Sequence, residues 1–230
     1  MSKPVHPHPL VEVRGAEKIY PGGARVAALR GVDLVLERGE FSALAGPSGS
    51  GKSTLLNLIG TLDRPNKGEV LYEGSVVSRL GLDALADFRL RTLGFVFQSY
   101  NLIPVLTARE NVEYPLVLRG VGTAERERAA LDALKWVGLE HYAHRRPDLL
   151  SGGQQQRVAV ARAIVHRPAL VLADEPTANL DSKTGAALLD VMERLNAEQG
   201  VTFLFSSHDP AVLSRARRVV HLQDGELRRD

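Results

Sequence analysis

The hydrophobic positions of the chain fall into short runs of two kinds. Near the start the runs alternate with polar residues, which is typical of strands with one buried face. They predict strands at 10–13 and 32–36, on either side of a turn at 20–23. Further on the runs are more continuous, as expected of strands buried on both faces. These runs predict strands at 41–45, 93–97, 170–173 and 201–205.

Helical patterns separate these strands. They cover 52–62, 82–92, about 154–166 and about 182–197, and Asp209 followed by Pro210 predicts one more helix start. Strands that alternate with helices predict an α/β fold whose mostly parallel sheet is covered on both faces. An Asp-Gly pair at 224–225 predicts a hairpin near the end.

The stretch from about 99 to 150 has a different character. It holds no convincing strand, and its helical pieces begin at Thr107 and Thr123. Thr107 and Glu110 have the spacing of a capping box, in which two side chains satisfy the first free amides of a helix. The pattern predicts an α-helical lobe inserted into a β-containing core.

Composition and charge exclude several classes of protein. The 230 residues carry 29 Lys and Arg against 27 Asp and Glu, and this net charge of +2 does not indicate binding of nucleic acid. Cysteine is absent, which excludes disulfides, thiolate zinc sites and cysteine nucleophiles. No uncharged apolar run approaches the ~18 residues that span a bilayer, so we expect a soluble, cytosolic chain. The proline-rich residues 1–9 predict a disordered tail.

The first candidate site is a glycine-rich loop between the strand at 41–45 and the helix from Lys52. Its sequence, Gly46-Pro47-Ser48-Gly49-Ser50-Gly51-Lys52-Ser53, matches the phosphate-loop pattern G-x-x-x-x-G-K-[ST]. The glycines let backbone amides close around phosphate oxygens, and the helix N-terminus adds partial positive charge. Lys52 is expected to reach the β- and γ-phosphates, and the Ser53 hydroxyl to bind Mg²⁺.

Two carboxylates follow the strand at 170–173. Parallel sheets bind ligands at the carboxyl ends of their strands, where Asp174 suits the outer shell of Mg²⁺. Pro176 biases Glu175 away from α geometry. The two carboxylates are therefore expected to aim differently, with Glu175 directed towards an attacking water.

A second glycine-rich element opens the helix near 154. Ser151 and Gln154 form an S-x-x-Q capping box, and one interpretation is simply a well-capped helix. Yet Gly152 and Gly153 in the first turn each cost about 1 kcal/mol relative to alanine, which close approach of an anion would offset. Ser151 lies 99 positions after Lys52. A head-to-tail homodimer could therefore hold ATP between one chain's phosphate loop and the other chain's Ser151 segment.

These residues resemble the nucleotide-binding subunits of ATP-binding-cassette (ABC) transporters, from about residue 10 to 228. Leu150-Ser151-Gly152-Gly153-Gln154 resembles the family signature, and Asp174-Glu175 its Walker B pair. Other matches are Gln98 (the Q-loop glutamine), Asn179-Leu180-Asp181 (the D-loop), His208 (the switch histidine) and Tyr20 (the aromatic residue that stacks on adenine).

The resemblance implies a P-loop ATPase with a mixed sheet, an N-terminal antiparallel β portion and an inserted α-helical subdomain. It also implies a single ABC ATPase domain at 10–230, with a core lobe at about 10–98 and 158–230 and a helical lobe at about 99–157.

The implied activity is Mg²⁺-dependent ATP hydrolysis in a homodimeric ATP sandwich. The implied catalytic residues are Glu175, His208, Lys52 and Gln98, and the Mg²⁺ site is formed by Ser53, Gln98 and Asp174. Nucleotide contacts come from Tyr20, Gly46, Ser48, Gly49, Ser50, Gly51, Lys52, Ser53 and Thr54 of one chain. The opposite chain supplies Ser151, Gly152, Gly153 and Gln154, while Asp181 links the two sites.

Segments 94–112 and 151–159 are similar to the MacB/LolD-like branch of the family, which serves lipoprotein release or export of macrolide- and peptide-like substrates. This similarity implies a transmembrane permease partner, membrane contact only through that partner, and a position on the inner face of the cell membrane. The apolar loop 100–106 is either the docking surface for the permease or a core segment of the lobe.

Two alternatives belong to other functional classes. An FtsE-like ATPase would regulate an extracytoplasmic enzyme through its membrane partner. A soluble ABC-type ATPase acting on nucleic acid or ribosomes would favour tandem cassettes, a long coiled coil or a strong basic stripe, and the sequence has none of these features.

Overall fold

The fold is taken from a computed structural model, which describes residues 8–21 and 26–228. Residues 1–7 of the predicted tail and 22–23 of the predicted turn lie outside these residues. The strands are β1 (Val11–Tyr20), β2 (Val26–Leu36), β3 (Phe41–Ala45), β4 (Lys67–Tyr72), β5 (Ser75–Val76), β6 (Leu93–Val96), β7 (Leu170–Asp174), β8 (Thr202–Ser206), β9 (Arg218–Gln223) and β10 (Glu226–Leu227). The helices are α1 (Lys52–Ile59), α2 (Leu82–Thr92), α3 (Ala108–Leu118), α4 (Thr123–Trp136), α5 (Gly152–Ile164), α6 (Ser182–Gln199) and α7 (Pro210–Arg215), with 3₁₀ turns at Glu140–Tyr142 and Pro147–Leu149.

The strands form two sheets. The first is antiparallel, in the order β2-β1-β4-β5. The second has the order β10-β9-β3-β8-β7-β6, and all its pairs are parallel except the terminal hairpin of β9 and β10. The predicted mixed α/β fold with an antiparallel N-terminal portion and a helical insertion is thereby confirmed.

The parallel sheet is buried on both faces because successive residues of each strand point to opposite sides. Ala43, Val171 and Phe203 pack in one hydrophobic cluster with helices α3 to α6. Their neighbours Leu44, Leu172 and Leu204 pack in a second cluster with α1 and the antiparallel sheet. Continuous apolar runs are the sequence pattern that this two-sided burial requires.

The helical segment is built as expected between β6 and α5. The Thr107 hydroxyl accepts a hydrogen bond from the Glu110 amide, and the Glu110 carboxylate accepts one from the Thr107 amide. Buried residues of α3 and α4, among them Val112 and Leu134, share a cluster with the sheet residue Phe41. The division into two lobes stays a prediction.

Several boundaries differ from the sequence prediction. β1 and β2 are much longer than expected, because bulges let them continue beyond the regular alternation. Strands β4 and β5 were not predicted. The first half of β4 is charged and contains a glycine, which hides the hydrophobic pattern of a strand. Helix α5 begins at Gly152, two residues early, because the cap at Ser151 sets its start.

Candidate nucleotide site

Four parallel strands end at one edge of the sheet and carry the predicted site residues there. β3 leads into the glycine-rich loop, β7 ends at Asp174, β8 is followed by His208, and β6 is followed by Gln98. These strands are neighbours in the order β3-β8-β7-β6. Segments distant in sequence therefore meet at the carboxyl edge, where α/β sheets bind ligands.

The glycine-rich loop has the tight backbone that a phosphate cradle requires. A Cβ atom on Gly46 would lie 2.1 Å from the Leu222 carbonyl oxygen. Gly51 has φ +106°, and a Cβ there would lie 2.5 Å from the Ala28 carbonyl oxygen. Side chains are thus excluded at both ends of the loop.

Lysine 52 is folded back over this loop. Its Nζ donates hydrogen bonds to the carbonyl oxygens of Gly46, at 2.7 Å, and Pro47, at 3.0 Å. The residue is 8% exposed, although it carries a charge. The ammonium group is therefore held against the first residues of the loop, where it is available to bind an anion.

An open cleft of about 510 Å³ lies against the loop, within the size range of small-molecule sites. The predicted site residues that line it are Ser48, Gly49, Gly51, Lys52, Ser53, Thr54, Gln98, Glu175 and His208. The buried Ser50 hydroxyl, at the helix end of the loop, has no hydrogen-bond partner among the described residues. A cleft lined by the glycine-rich loop, by residues with hydroxyl side chains and by one lysine fits a nucleoside triphosphate.

The donor set beside the cleft fits Mg²⁺. The Ser53 hydroxyl donates to Asp174 Oδ1 across 3.3 Å, and Gln98 lines the same cleft. The described part of the chain contains no group of three His, Cys, Asp or Glu side chains that could hold a metal ion. Mg²⁺ needs few protein carboxylates because it keeps several waters and binds substrate phosphates.

The two adjacent carboxylates at the end of β7, Asp174 and Glu175, face different partners, as the sequence predicts. Asp174 contacts Ser53, whereas Glu175 Oε2 accepts a hydrogen bond from Ser207 at 2.8 Å. Glu175 Oε1 lies 2.6 Å from His208 Nδ1. Glu175 has φ +43°, which lies in the left-handed region. Its backbone is therefore outside right-handed helical geometry, as predicted, but it is not in the extended region that Pro176 favours.

The left-handed backbone conformation of Glu175 is uncommon for a residue other than glycine and stores strain of about 1–3 kcal/mol. The Glu175 amide donates to the Ser206 carbonyl at 2.8 Å, and Ser207 and His208 hold the side chain. The surrounding bonds therefore fix a carboxylate at the edge of the cleft.

The second glycine-rich element lies outside this cleft. The Ser151 hydroxyl accepts from the Gln154 amide, and Gln154 Oε1 accepts from the Ser151 amide, which confirms the capping box. Ser151, Gly152, Gly153, Gln154 and Asp181 are not among the described residues that line the cleft. One chain therefore does not bring the two elements to one pocket.

Packing within the chain also requires glycine at both positions of this element, which the sequence does not reveal. A Cβ atom on Gly153 would lie 2.2 Å from Thr184 Cγ2, and one on Gly152 would lie 2.8 Å from the Tyr100 hydroxyl. Thr184 is held by Asp181, which caps α6 and accepts bonds from both the amide and the hydroxyl of Thr184. These bonds lower the pKa of Asp181.

Tyr20 is exposed, lies near Asp63 and is not among the described residues that line the cleft. Its hydroxyl donates to Asp63 Oδ2 at 2.9 Å, and Lys18 Nζ lies 5.0 Å from its ring centroid. Burial and the bond to Asp63 raise the pKa of Tyr20. Burial acts to raise the pKa of Asp63. Hydrogen bonds to its carboxylate, including the one from Lys18, outweigh this effect, so the pKa of Asp63 is lowered overall. Stacking of this ring on adenine stays a prediction.

The site as a whole defines a class of protein. A strand, a glycine loop closed by a lysine, and a hydroxyl beside a carboxylate on the adjoining strand are the parts of a P-loop nucleoside-triphosphate-binding protein. Residues 29–178 match the family described as "ABC transporter". The chain belongs to the ABC transporter family, and within it to the ATP-binding subunits.

Related proteins agree with this assignment. An uncharacterized ABC transporter ATP-binding protein of Thermotoga maritima is 50% identical over 219 residues, covering 95% of this chain and 93% of the relative. The macrolide export ATP-binding/permease protein MacB of Wolinella succinogenes is 47% identical over 220 residues. That alignment covers 95% of this chain but 34% of MacB, so the chain spans about a third of the longer relative.

Solved structures show the same fold. The dimeric structure of the ABC transporter cassette MJ0796 has a TM-score of 0.87 and 45% identity, and the match covers 95% of this chain and 97% of that one. MJ0796 comes from Methanocaldococcus jannaschii. A second dimeric structure of MJ0796, in a post-hydrolysis state bound to ADP and Pi, has the same TM-score at 46% identity.

The predicted enzyme class and cofactors are confirmed at the level of the family: this is an ATPase that uses ATP and Mg²⁺. The expected homodimer and permease partner have counterparts in the dimeric cassette and in MacB. No helix among the described residues is both long enough and apolar enough to cross a membrane.

The close contact between Gly153 and Thr184 leads to a stability prediction. Gly153→Ala is expected to lower the free energy of unfolding by up to about 2 kcal/mol. The overlap of the new methyl group with Thr184 Cγ2 costs about 1–3 kcal/mol, and the better helix propensity of alanine offsets about 1 kcal/mol of it. Adding Thr184→Ser removes that methyl group, keeps the hydroxyl bonded to Asp181, and is expected to restore most of the loss. Urea unfolding of the nucleotide-free chain measures both variants, and equal stability of the single and double variants would contradict the predicted overlap.

Proposed function

We propose that two copies of this chain close head to tail on two ATP molecules and power a transmembrane permease. The observation that carries the proposal is the separation of the two glycine-rich elements. The cleft beside Lys52 contains the phosphate loop, Ser53, Glu175 and His208, but not Ser151. A capped helix N-terminus outside the cleft can complete a site only if it belongs to another molecule, and two-fold symmetry then produces two equal sites.

The proposed roles follow from the contacts at the cleft. Lys52 Nζ and the loop amides bind the β- and γ-phosphates, and Ser53 with Asp174 and Gln98 would hold Mg²⁺. When bound, Mg²⁺ neutralises charge on the phosphate oxygens. The Glu175 carboxylate, oriented by Ser207, takes the proton from the attacking water, a step in which positioning supplies most of the rate.

The remaining predicted contacts belong to the closed dimer. His208 reaches the γ-phosphate from its place beside Glu175. Ser151 and Gly153 of the opposite chain bind the same γ-phosphate through their helix N-terminus, with Gly152 and Gln154 adjoining. Asp181 links the two sites across the interface. Loss of the γ-phosphate removes the ligand shared by the two chains, so hydrolysis opens the dimer.

The permease is proposed to dock at the apolar groove beside loop 100–106. This groove, of about 500 Å³, is lined by Phe97, Ile103, Tyr114 and Leu118, among others. Val105 in the loop is 71% exposed, whereas Leu102 packs against the core. The loop thus presents apolar surface at one point and is anchored at another, which suits docking better than a core segment. Docking would place the chain on the inner face of the membrane.

The cargo is proposed to be an exported small molecule and not a lipoprotein. The relatives that support this proposal are MacB of Wolinella succinogenes and the pyoverdine export ATP-binding/permease protein PvdT of Pseudomonas fluorescens, both 47% identical to this chain. The FtsE-like alternative is not favoured, because these relatives are named for export.

Glu175→Gln tests the sandwich directly. The amide cannot take a proton from water, so turnover is expected to fall at least about 100-fold, while ATP binding persists. In size-exclusion chromatography with ATP, this variant is expected to elute as a dimer. Glu198→Gln, an exposed carboxylate on α6, is the matched control and is expected to hydrolyse ATP normally. Elution of Glu175→Gln only as a monomer with ATP bound would count against the sandwich.

Mixing two inactive variants tests whether the glycine-rich element at 151–154, called here the second cradle, acts in the opposite chain. Lys52→Ala disables a chain's own phosphate loop, and Ser151→Arg disables the cradle it offers to its partner. Random pairing gives one intact site in each mixed dimer, so activity is expected to return to about a quarter of the wild-type rate. If both elements served one site within a chain, mixing would restore no ATPase activity.

The cargo proposal needs the permease that copurifies with the tagged chain from membranes. In nanodiscs, a macrolide or a pyoverdine-type siderophore is expected to raise ATP turnover of the complex, because export cargo favours the closing of the two ATPase subunits. A triacylated lipoprotein in detergent micelles serves as the competing cargo. Stimulation by the lipoprotein alone would overturn export in favour of lipoprotein release.

A further inference from the structure

A fully buried amide on α5 joins two parts of the site that are remote in sequence. Gln156 is 0% exposed. Its Nε2 donates to the Pro176 carbonyl oxygen at 2.7 Å and to the Phe97 carbonyl oxygen at 3.2 Å. Since carbonyl oxygens only accept, the side-chain nitrogen must face both. One amide group thus links the end of β6 to the end of β7.

The two carbonyls that Gln156 holds adjoin the residues proposed for catalysis. Phe97 immediately precedes Gln98, and Pro176 immediately follows Glu175. Gln156 itself lines no part of the cleft among the described residues. It can therefore affect the reaction only through the backbone positions of these two neighbours.

Two other side chains hold the same segment after β6. Asn179 Nδ2 donates to the Gln98 carbonyl at 2.9 Å. Arg162, farther along α5, donates to the carbonyl oxygens of Tyr100 and Asn101, at 2.8 and 2.5 Å. Tyr100 and Asn101 have φ +57° and +49°, a conformation that needs such support. The segment that carries Gln98 is thus fixed by α5 at two places.

Helix α5 is also the helix whose N-terminus forms the second cradle. Ser151 caps its first turn, and Gln156 lies little more than one turn farther on. A displacement of this N-terminus is transmitted along the rigid helix to Gln156, and from there to the backbone beside Gln98 and Glu175. The geometry points to a mechanical link between the element offered to the partner and the chain's own catalytic groups.

We propose that Gln156 is a positioning residue that keeps Gln98 and Glu175 in register with each other and with the Ser151 cradle. The inference rests on the function proposed above, in which Gln98 and Glu175 act on Mg²⁺ and water. Displacement of such groups by about 1 Å can reduce a rate by about 100-fold. The competing explanation is a core amide that serves stability alone.

The chain offers a matched control for that explanation. Asn196 on α6 is 4% exposed. Its Nδ2 donates to the carbonyl oxygens of Val201 at 2.7 Å, Gly39 at 3.0 Å and, more weakly, Glu40 at 3.4 Å. It is therefore another buried amide that joins backbone carbonyls of separate segments, but none of its partners adjoins a proposed catalytic residue. Asn196→Leu and Gln156→Met each remove all the bonds that the amide donates and keep a side chain of similar length.

The experiment measures kcat per nucleotide-binding site and the Kd for ATP in the 230-residue chain, together with the melting temperature. Both variants are expected to melt at lower temperature than the wild type. Gln156→Met is expected to reduce kcat by about 10- to 100-fold with the Kd for ATP unchanged, because the phosphate loop is not displaced. Asn196→Leu is expected to keep kcat within about twofold of the wild type.

A second readout addresses Gln98 separately. Gln156→Met is expected to raise the Mg²⁺ concentration that gives half-maximal turnover, whereas Asn196→Leu leaves it unchanged. Equal kcat in the two variants would overturn the inference, and an unshifted Mg²⁺ midpoint would overturn its Gln98 half. Glu175→Gln, measured alongside, distinguishes failure of the proposed function from failure of the inference about Gln156. Full activity of Glu175→Gln refutes the proposed function. Loss of activity in Glu175→Gln together with normal activity in Gln156→Met refutes only the inference.

Discussion

The parallel pairing of β3, β8, β7 and β6 is the constraint on which the site depends. Each of these strands is buried on both faces, and each ends at the same edge of the sheet. Register then fixes which residues meet: Asp174 pairs with Ser206, and Leu44 pairs with the same residue from the other side. The phosphate loop, the carboxylates and the histidine are neighbours because backbone hydrogen bonds hold their strands side by side.

The same edge combines a rigid glycine-rich loop with a carboxylate that is held in a strained backbone conformation. Close backbone contacts fix the loop around Lys52, and Glu175 is held in left-handed geometry by bonds from Ser207 and His208. The second cradle is constructed differently: Ser151 caps α5, and Thr184 fills the space beside Gly153. Its glycines are thus required for packing within the chain, in addition to the anion contact proposed in the dimer.

Local patterns account for much of the fold and most of the site. The phosphate loop, the capping boxes at Thr107 and Ser151, and the buried strands follow from short segments whose chemistry is self-contained. The long β1 and β2 and the added β4 were less predictable, because bulges and charged positions on an antiparallel sheet obscure the alternation. The bond of Tyr20 to Asp63 joins residues 43 positions apart and gives no sequence signal.

By itself, the sequence determined which residues could bind phosphate, cap helices and form buried strands, since each of these properties depends on a few adjacent side chains. It also predicted two glycine-rich helix starts, at Lys52 and Ser151, 99 positions apart, as candidate anion sites. Only the tertiary structure decided that one cleft gathers Lys52, Gln98, Glu175 and His208 while Ser151 lies outside it. It alone revealed the Gln156 amide between two strand ends. Such contacts depend on strand order and helix packing, which no local pattern encodes.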